Sequence, residues 1–153
     1  MRVVRNAIAD RLLALPQVTT NIATFYGEPA IFTRSPVPPA ASGRFIVIRD
    51  SHIDEPFETK TPSNPPADYV ATMGREVHHD IGIYQDQTGD SSDLEDLALY
   101  IRKAFNRYPL SISGYGTLIA RTSGPIEAPA SEEQNEEVDG RLITVILTVI
   151  EKP

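Results

Sequence analysis

The 153-residue sequence contains no cysteine and no tryptophan. Without a thiol there can be no disulfide framework, no thiolate zinc or iron-sulfur site and no cysteine nucleophile. No apolar run of about 18 residues is present to cross a bilayer as a helix. The N-terminal Met1-Arg-Val-Val-Arg-Asn leads into a pattern broken by Asp10 and Arg11, unlike the uninterrupted apolar stretch of a signal peptide. The expectation is a soluble, intracellular chain with no membrane partner. Positive charge is also scarce: 14 Lys and Arg stand against 21 Asp and Glu, a formal net charge of -7, and the longest basic cluster is the pair Arg102-Lys103. A phosphate backbone would be repelled, so sequence-driven DNA binding is disfavoured. The length suits one self-sufficient core, so 1–153 reads as a single domain. No internal repeat points to a solenoid.

What is present divides into periodic segments and long irregular ones. Val4, Ala7, Ile8, Leu12 and Leu15 recur at steps of three and four, which predicts an amphipathic helix from about Arg2 to Leu15, closed by Pro16. Thr, Ile, Phe and Tyr between Val18 and Tyr26 suit a strand. Phe45-Ile46-Val47-Ile48 is a short apolar run, as in a strand covered on both faces. Glu76 to Gln85 alternates as a half-buried strand. Ser92-Asp93-Leu94-Glu95 reads as a capping box opening a helix whose stripe runs through Leu97, Ile101 and Phe105 to Tyr108. Thr117–Thr122 and Arg141–Glu151 read as two further strands, the last apolar on both faces and so interior. This order predicts an α+β fold, a mainly antiparallel sheet of four to five strands with two helices packed on one face. Three long loops are expected, at about 27–44, 49–75 and 124–140. The first two are rich in proline, and the third holds Glu132, Glu133, Glu136 and Glu137 in a block without a base.

No constellation of side chains argues for chemistry. His78 and His79 are neighbours on a strand and point to opposite faces, so they cannot share one ion without a bulge, even with His52 or Asp80 as further ligands. The serines lack a nucleophile elbow. Gly114-Tyr115-Gly116 precedes a strand and does not open a helix, so it is no phosphate cradle. The expectation is no catalytic residue, no cofactor and no metal. Irregular loops of such length in a compact domain ask for a function, and proline reduces the entropy lost when a loop docks. Assembly is therefore favoured, with Phe57, Tyr69, Val70 and Met73 as candidate anchors at a subunit or tube interface. The other reading of these four is that they fold back on their own domain.

The order of elements resembles the tail terminator, or tail-completion, proteins of long-tailed phages and gene transfer agents. It runs from the N-terminal helix through Gly27-Glu-Pro-Ala to Pro39, Phe45-Ile-Val-Ile-Arg-Asp, Val77-His-His-Asp-Ile-Gly-Ile-Tyr and the Ser-Asp-Leu-Glu-Asp-Leu helix to two closing strands. The resemblance spans nearly the whole chain. It implies a structural, non-enzymatic virion protein that forms a ring, commonly a hexamer, at the head-proximal end of the tail tube. Its partners would be its own copies, the tail tube protein and a head connector or stopper, with DNA passing through unbound. Its location would be the virion tail, and the host cytoplasm during assembly. The acidic segment 127–139 departs from the pattern. Facing a channel, its carboxylates would repel passing DNA; on the outer wall they would keep the ring soluble. The rival readings are another head-tail connector or tube subunit, and a small ligand-binding α+β domain.

Overall fold

The computed structural model describes residues 1–33, 43–58, 62–86, 91–128 and 138–152. Arg2–Leu13 forms helix α1, which buries Val4, Ala7, Ile8 and Leu12. It stops two residues short of the expected Leu15, because a residue before proline is pushed out of the helical region; Leu15 is extended at φ -97°, ψ 107°. Pro16 then occupies the first turn of a short helix α2, Pro16–Thr19, whose Val18 enters the core. The strand expected at 18–26 is accordingly reduced to β1, Thr24–Phe25. Thr20 Oγ1 donates to the Pro16 carbonyl at 2.7 Å and Asn21 Nδ2 to that of Gln17 at 2.6 Å, so polar side chains wrap back onto α2 where β propensity would extend them. β1 pairs with β2, Glu28–Pro29, through a two-residue turn at Tyr26 and Gly27, both left-handed (φ 51° and 81°), as a tight hairpin requires.

The main sheet contains β3 (Ile31–Phe32), β4 (Phe45–Glu58), β5 (Met73–Asp86), β6 (Tyr115–Glu127) and β7 (Val138–Glu151), in the order β3-β4-β5-β7-β6. The α+β class is as expected. The sheet architecture is mixed and not simply antiparallel: β3 runs parallel to β4, and the β1-β2 pair forms a second, small sheet. A parallel partner needs a return connection of about a dozen residues, which the proline-rich stretch between Phe32 and Phe45 supplies. β7 is interior, as its doubly apolar sequence predicts.

The expected loops are shorter than 27–44, 49–75 and 124–140. β2 and β3 occupy part of the first. In the second, β4 continues to Glu58 and β5 begins at Met73, so these strands form a long hairpin arm. Two causes hid it. The register shifts between Arg49 and Ile53, where three residues of β4 stand opposite His79 alone, which breaks the alternation. Beyond that bulge residues 54–58 are exposed on both faces, so no core imposes an apolar period. The third is shortened by β6, which continues through a register shift to Glu127. Pro125 is accommodated at that irregularity on an edge strand. Pro36, Pro38, Pro39 and the carboxylates Glu132, Glu133, Glu136 and Glu137 lie outside the described residues.

Helix α3 spans Ser91–Phe105, starting one residue before the expected cap and ending three before Tyr108. Its terminus is fixed by Arg107, left-handed at φ 59°, whose N–H donates to the Ala120 carbonyl of β6 at 2.9 Å. α1 and α3 lie on the same face of the sheet. Their apolar stripes meet Ile46 and Ile48 of β4, Val77, Ile81 and Ile83 of β5, and Ile143, Val145, Leu147 and Val149 of β7. Leu147→Ala should destabilise the chain by about 2–5 kcal/mol, whereas Ile146→Ala, one residue away on the other face, should cost less than half as much. Urea unfolding of the two variants checks which side of β7 carries the core.

Candidate functional site

Two surfaces remain largely without a covering layer among the described residues: the sheet face opposite the helices, closed at one end by a second small cluster of Ala30, Phe45, Val47 and Tyr84, and the long edges beyond β3. On the helix-free face the cross-strand registers align side chains in rows. One row runs Phe57, Gly74, Ile150, Gly116; the next Glu55, Glu76, Thr148, Ile119; then Ile53, His78, Ile146, Arg121; then Arg49, Asp80, Thr144, Ser123. Aromatic rings close both ends over glycines. Tyr84, 2% exposed, stacks on Phe45 with centroids 5.6 Å apart and lies across Gly82 and Gly140. Phe57, 38% exposed, covers Gly74 at the other end. A Cβ at Gly140 would strike the trapped Tyr84 ring, while one at Gly74 would strike a ring free to swing outward. Gly140→Ala should therefore cost about 1–3 kcal/mol and Gly74→Ala well under that, measured by thermal unfolding.

The middle rows are polar and bonded to one another. Thr144 Oγ1 donates to Asp80 Oδ1 at 2.7 Å, and Arg49 Nη2 reaches the Tyr84 hydroxyl at 3.4 Å. Burial pushes the Tyr84 phenol up, and the Arg49 guanidinium partly offsets this. Glu55 and Glu76 are directly opposite each other, a like-charge pair that a sheet resists. Glu76 is relieved by His78 Nε2 at 2.8 Å and by Arg121 Nη2 at 4.0 Å. The bond from His78 holds the Glu76 carboxyl below the usual carboxylate range. A depressed carboxylate pKa stabilises the fold above the unfolded pKa, and that contribution disappears as the pH falls through the folded value. NMR titration should place Glu76 below ordinary glutamate and return it toward the ordinary range in His78→Ala.

His79 faces the helices, fully buried, with Nδ1 3.2 Å from the Arg49 carbonyl beside the bulge. The two histidines thus take opposite faces, as strand geometry predicts. Two open hollows occur among the described residues: one of about 220 Å³ lined by Gln17, Asn21, Arg44, Asp93, Asp96, Leu97 and Tyr100, and one of about 360 Å³ between α1 and the turn at Ser111–Gly114. Arg44 in the first is engaged by Gln85 Oε1 at 2.9 Å and by the Asn21 carbonyl at 3.2 Å.

The four anchor candidates gather at the far end of the β4-β5 arm. Phe57 pairs with Gly74 and Glu58 with Met73 across the hairpin. Tyr69 is half-buried, its N–H bonded to the Pro66 carbonyl at 3.0 Å, and Val70 is 83% exposed. The arm is braced at its root by Arg75 Nη1 on Asp54 Oδ1 at 2.7 Å and by the Met1 amino group 3.8 Å from Asp54. The acidic candidates Glu132, Glu133, Glu136 and Glu137 are not placed by the structure. Sequence reasoning missed a second exposed apolar set on β6: Leu118, Ile119 and Ile126 at 62%, 53% and 59% exposure. Its signal was available, because three bulky aliphatic residues fall on a strand punctuated by Gly and Pro, the mark of an irregular edge.

No protein-family model matches the chain, and no curated protein sequence does. Among solved structures, a chain from the virion of a native gene transfer agent particle matches with a TM-score of 0.64 at 13% identity, covering 97% of this chain and 95% of that one. A second solved chain matches with a TM-score of 0.55 at 12% identity, covering 99% and 96% respectively. At such identities the likeness is one of fold, and it extends from end to end in both directions.

Proposed function

We propose that the chain is a structural component of a phage-like particle, a tail terminator that forms a ring at the head-proximal end of the tail tube. The observation that carries this reading is the end-to-end fold match to a chain of a gene transfer agent virion. The element order noted in the sequence supports the terminator assignment. In this reading copies of the chain, six in a hexamer, close a ring that stops tube polymerisation and offers a surface to the head connector or stopper. DNA passes through the ring without specific binding, assembly takes place in the host cytoplasm, and the protein carries out no chemistry. The apolar end of the β4-β5 arm, with Phe57, Tyr69, Val70 and Met73, contributes to the contact with a neighbouring subunit or with the tube. A stable contact of this kind buries at least about 1,000 Å² in total.

Electron microscopy of particles assembled without this protein tests the assignment. Overlong or ragged tubes are expected. Intact tubes with empty or leaking heads would move the protein to the connector, and absent tubes would make it a tube subunit. For the arm, Tyr69→Ser combined with Val70→Ser should reduce the assembly mass measured by light scattering while leaving the circular dichroism spectrum unchanged.

A further inference from the structure

The two outer edges of the main sheet differ in charge. Along β4 beyond the bulge, Asp54, Glu55 and Glu58 are exposed, and the stretch 54–70 holds four acids against the single base Lys60. At the opposite edge, the stretch 102–121 holds four bases and no acid. Arg102, Lys103, Arg107 and Arg121 are all exposed. The fold gathers these bases around β6. Thr122 Oγ1 donates to the Arg102 carbonyl at 3.4 Å and the Arg107 N–H donates to Ala120, so the last turn of α3 ends against that strand. Each edge also presents exposed apolar side chains, Phe57 on one and Leu118 and Ile119 on the other.

Charged positions of the two edges occur on both faces of the sheet. Glu55 lies on the helix-free face, in the register row of Ile119 and one row from Arg121. Glu58 pairs with Met73 and so lies on the helix side, the side on which α3 brings Arg102 and Lys103. On the helix-free face acidic and basic positions therefore stand at neighbouring levels of the sheet, whereas on the helix side the last turn of α3 meets β6 at Thr122, level with the bulge and several residue pairs from Glu58. Direct ladder pairing along the whole of β4 is obstructed by Pro56, by the bulge and by the carboxylates, devices that block indiscriminate edge pairing. What remains is a contact by side chains and charge, selective for a partner whose edge is basic.

We infer that the acidic arm edge of one copy, centred on Glu55, Phe57 and Glu58, docks on the basic β6 edge of a second copy, centred on Lys103, Ile119 and Arg121. This deepens the ring reading and rests on it. Because the two edges are different surfaces, the contact is heterologous, and repetition by rotation closes a ring without any two-fold contact. Charge complementarity sets the partner and the register, while the apolar residues supply the buried centre.

The test uses two charge-reversed full-length chains. One carries Glu55→Lys and Glu58→Lys, so that both of its edges are basic; the other carries Arg102→Glu, Lys103→Glu and Arg121→Glu, which leaves Arg107 as the one base against three acids there, so that both are acidic. Each alone should associate at least about tenfold more weakly than the native chain in sedimentation velocity at low salt. Mixed in equal amounts they should co-assemble, alternating around the ring, which also shows that both are folded. Native assembly should weaken as salt rises from about 0.1 to 1 M, over which the Debye length falls from about 10 to 3 Å. If the native chain assembles and either reversed chain alone assembles equally well, or the mixture does not co-assemble, the edge pairing is overturned while the ring stands. If the native chain stays a single copy at every concentration, the ring reading falls with it.

Discussion

β5 and β7 are joined by thirteen consecutive residue pairs, from Gly74 with Ile150 to Asp86 with Val138, without a shift in register. The other long strands pair with these two, and each of those pairings contains an irregularity. The reason the ladder cannot slip lies in what it would bury. In the observed register Val77, Ile81 and Ile83 of β5 and Ile143, Val145, Leu147 and Val149 of β7 all point under α1 and α3, and all are fully buried. A displacement of β7 by one residue would bring Thr144 and Thr148 under the helices and put the apolar set on the open face. Everything at the periphery is positioned from this pair: the arm by β5, the basic edge by β7.

The elements that face this core were legible in the sequence. The stripes of α1 and α3, the alternation of Glu76–Gln85 and the apolar run of β7 were each written by burial, and each occurs where the periodicity puts it. Errors appeared where burial ceased to select. Val18–Tyr26 has β-forming residues, yet Pro16 starts a helical turn and the Thr and Asn side chains bond back to it. The distal half of β4 is a strand made of Asp, Glu and Pro because backbone pairing with β5 holds it, not a core. A three-residue bulge opposite His79 conceals the continuation.

The candidate surfaces were legible only in part. Phe57, Tyr69, Val70 and Met73 were marked by being apolar in a polar context, and the fold brings them to one end of one hairpin. The segregation of charge to opposite edges depends on strand order: Gly and Pro mark β6 as an irregular edge, but no residue of β4 or β6 says that the two strands lie on opposite sides of the sheet. The carboxylates Glu55 and Glu76 illustrate the difference between the two scales. Each is ordinary in the sequence, but they stand opposite each other on the sheet, and the nearby His78 and Arg121 compensate for the repulsion.

The main sheet has four long strands, each of 13 or 14 residues, and that number is even. β4 and β6 consequently point in opposite directions along their length. When copies are set side by side, every junction between them repeats the up-down sense found inside each copy, whatever the number of copies. An odd count would have forced a change of sense at each boundary. In such an array parity would make a seam between molecules directionally indistinguishable from the interior of one, leaving the side chains on either border as the means of telling them apart.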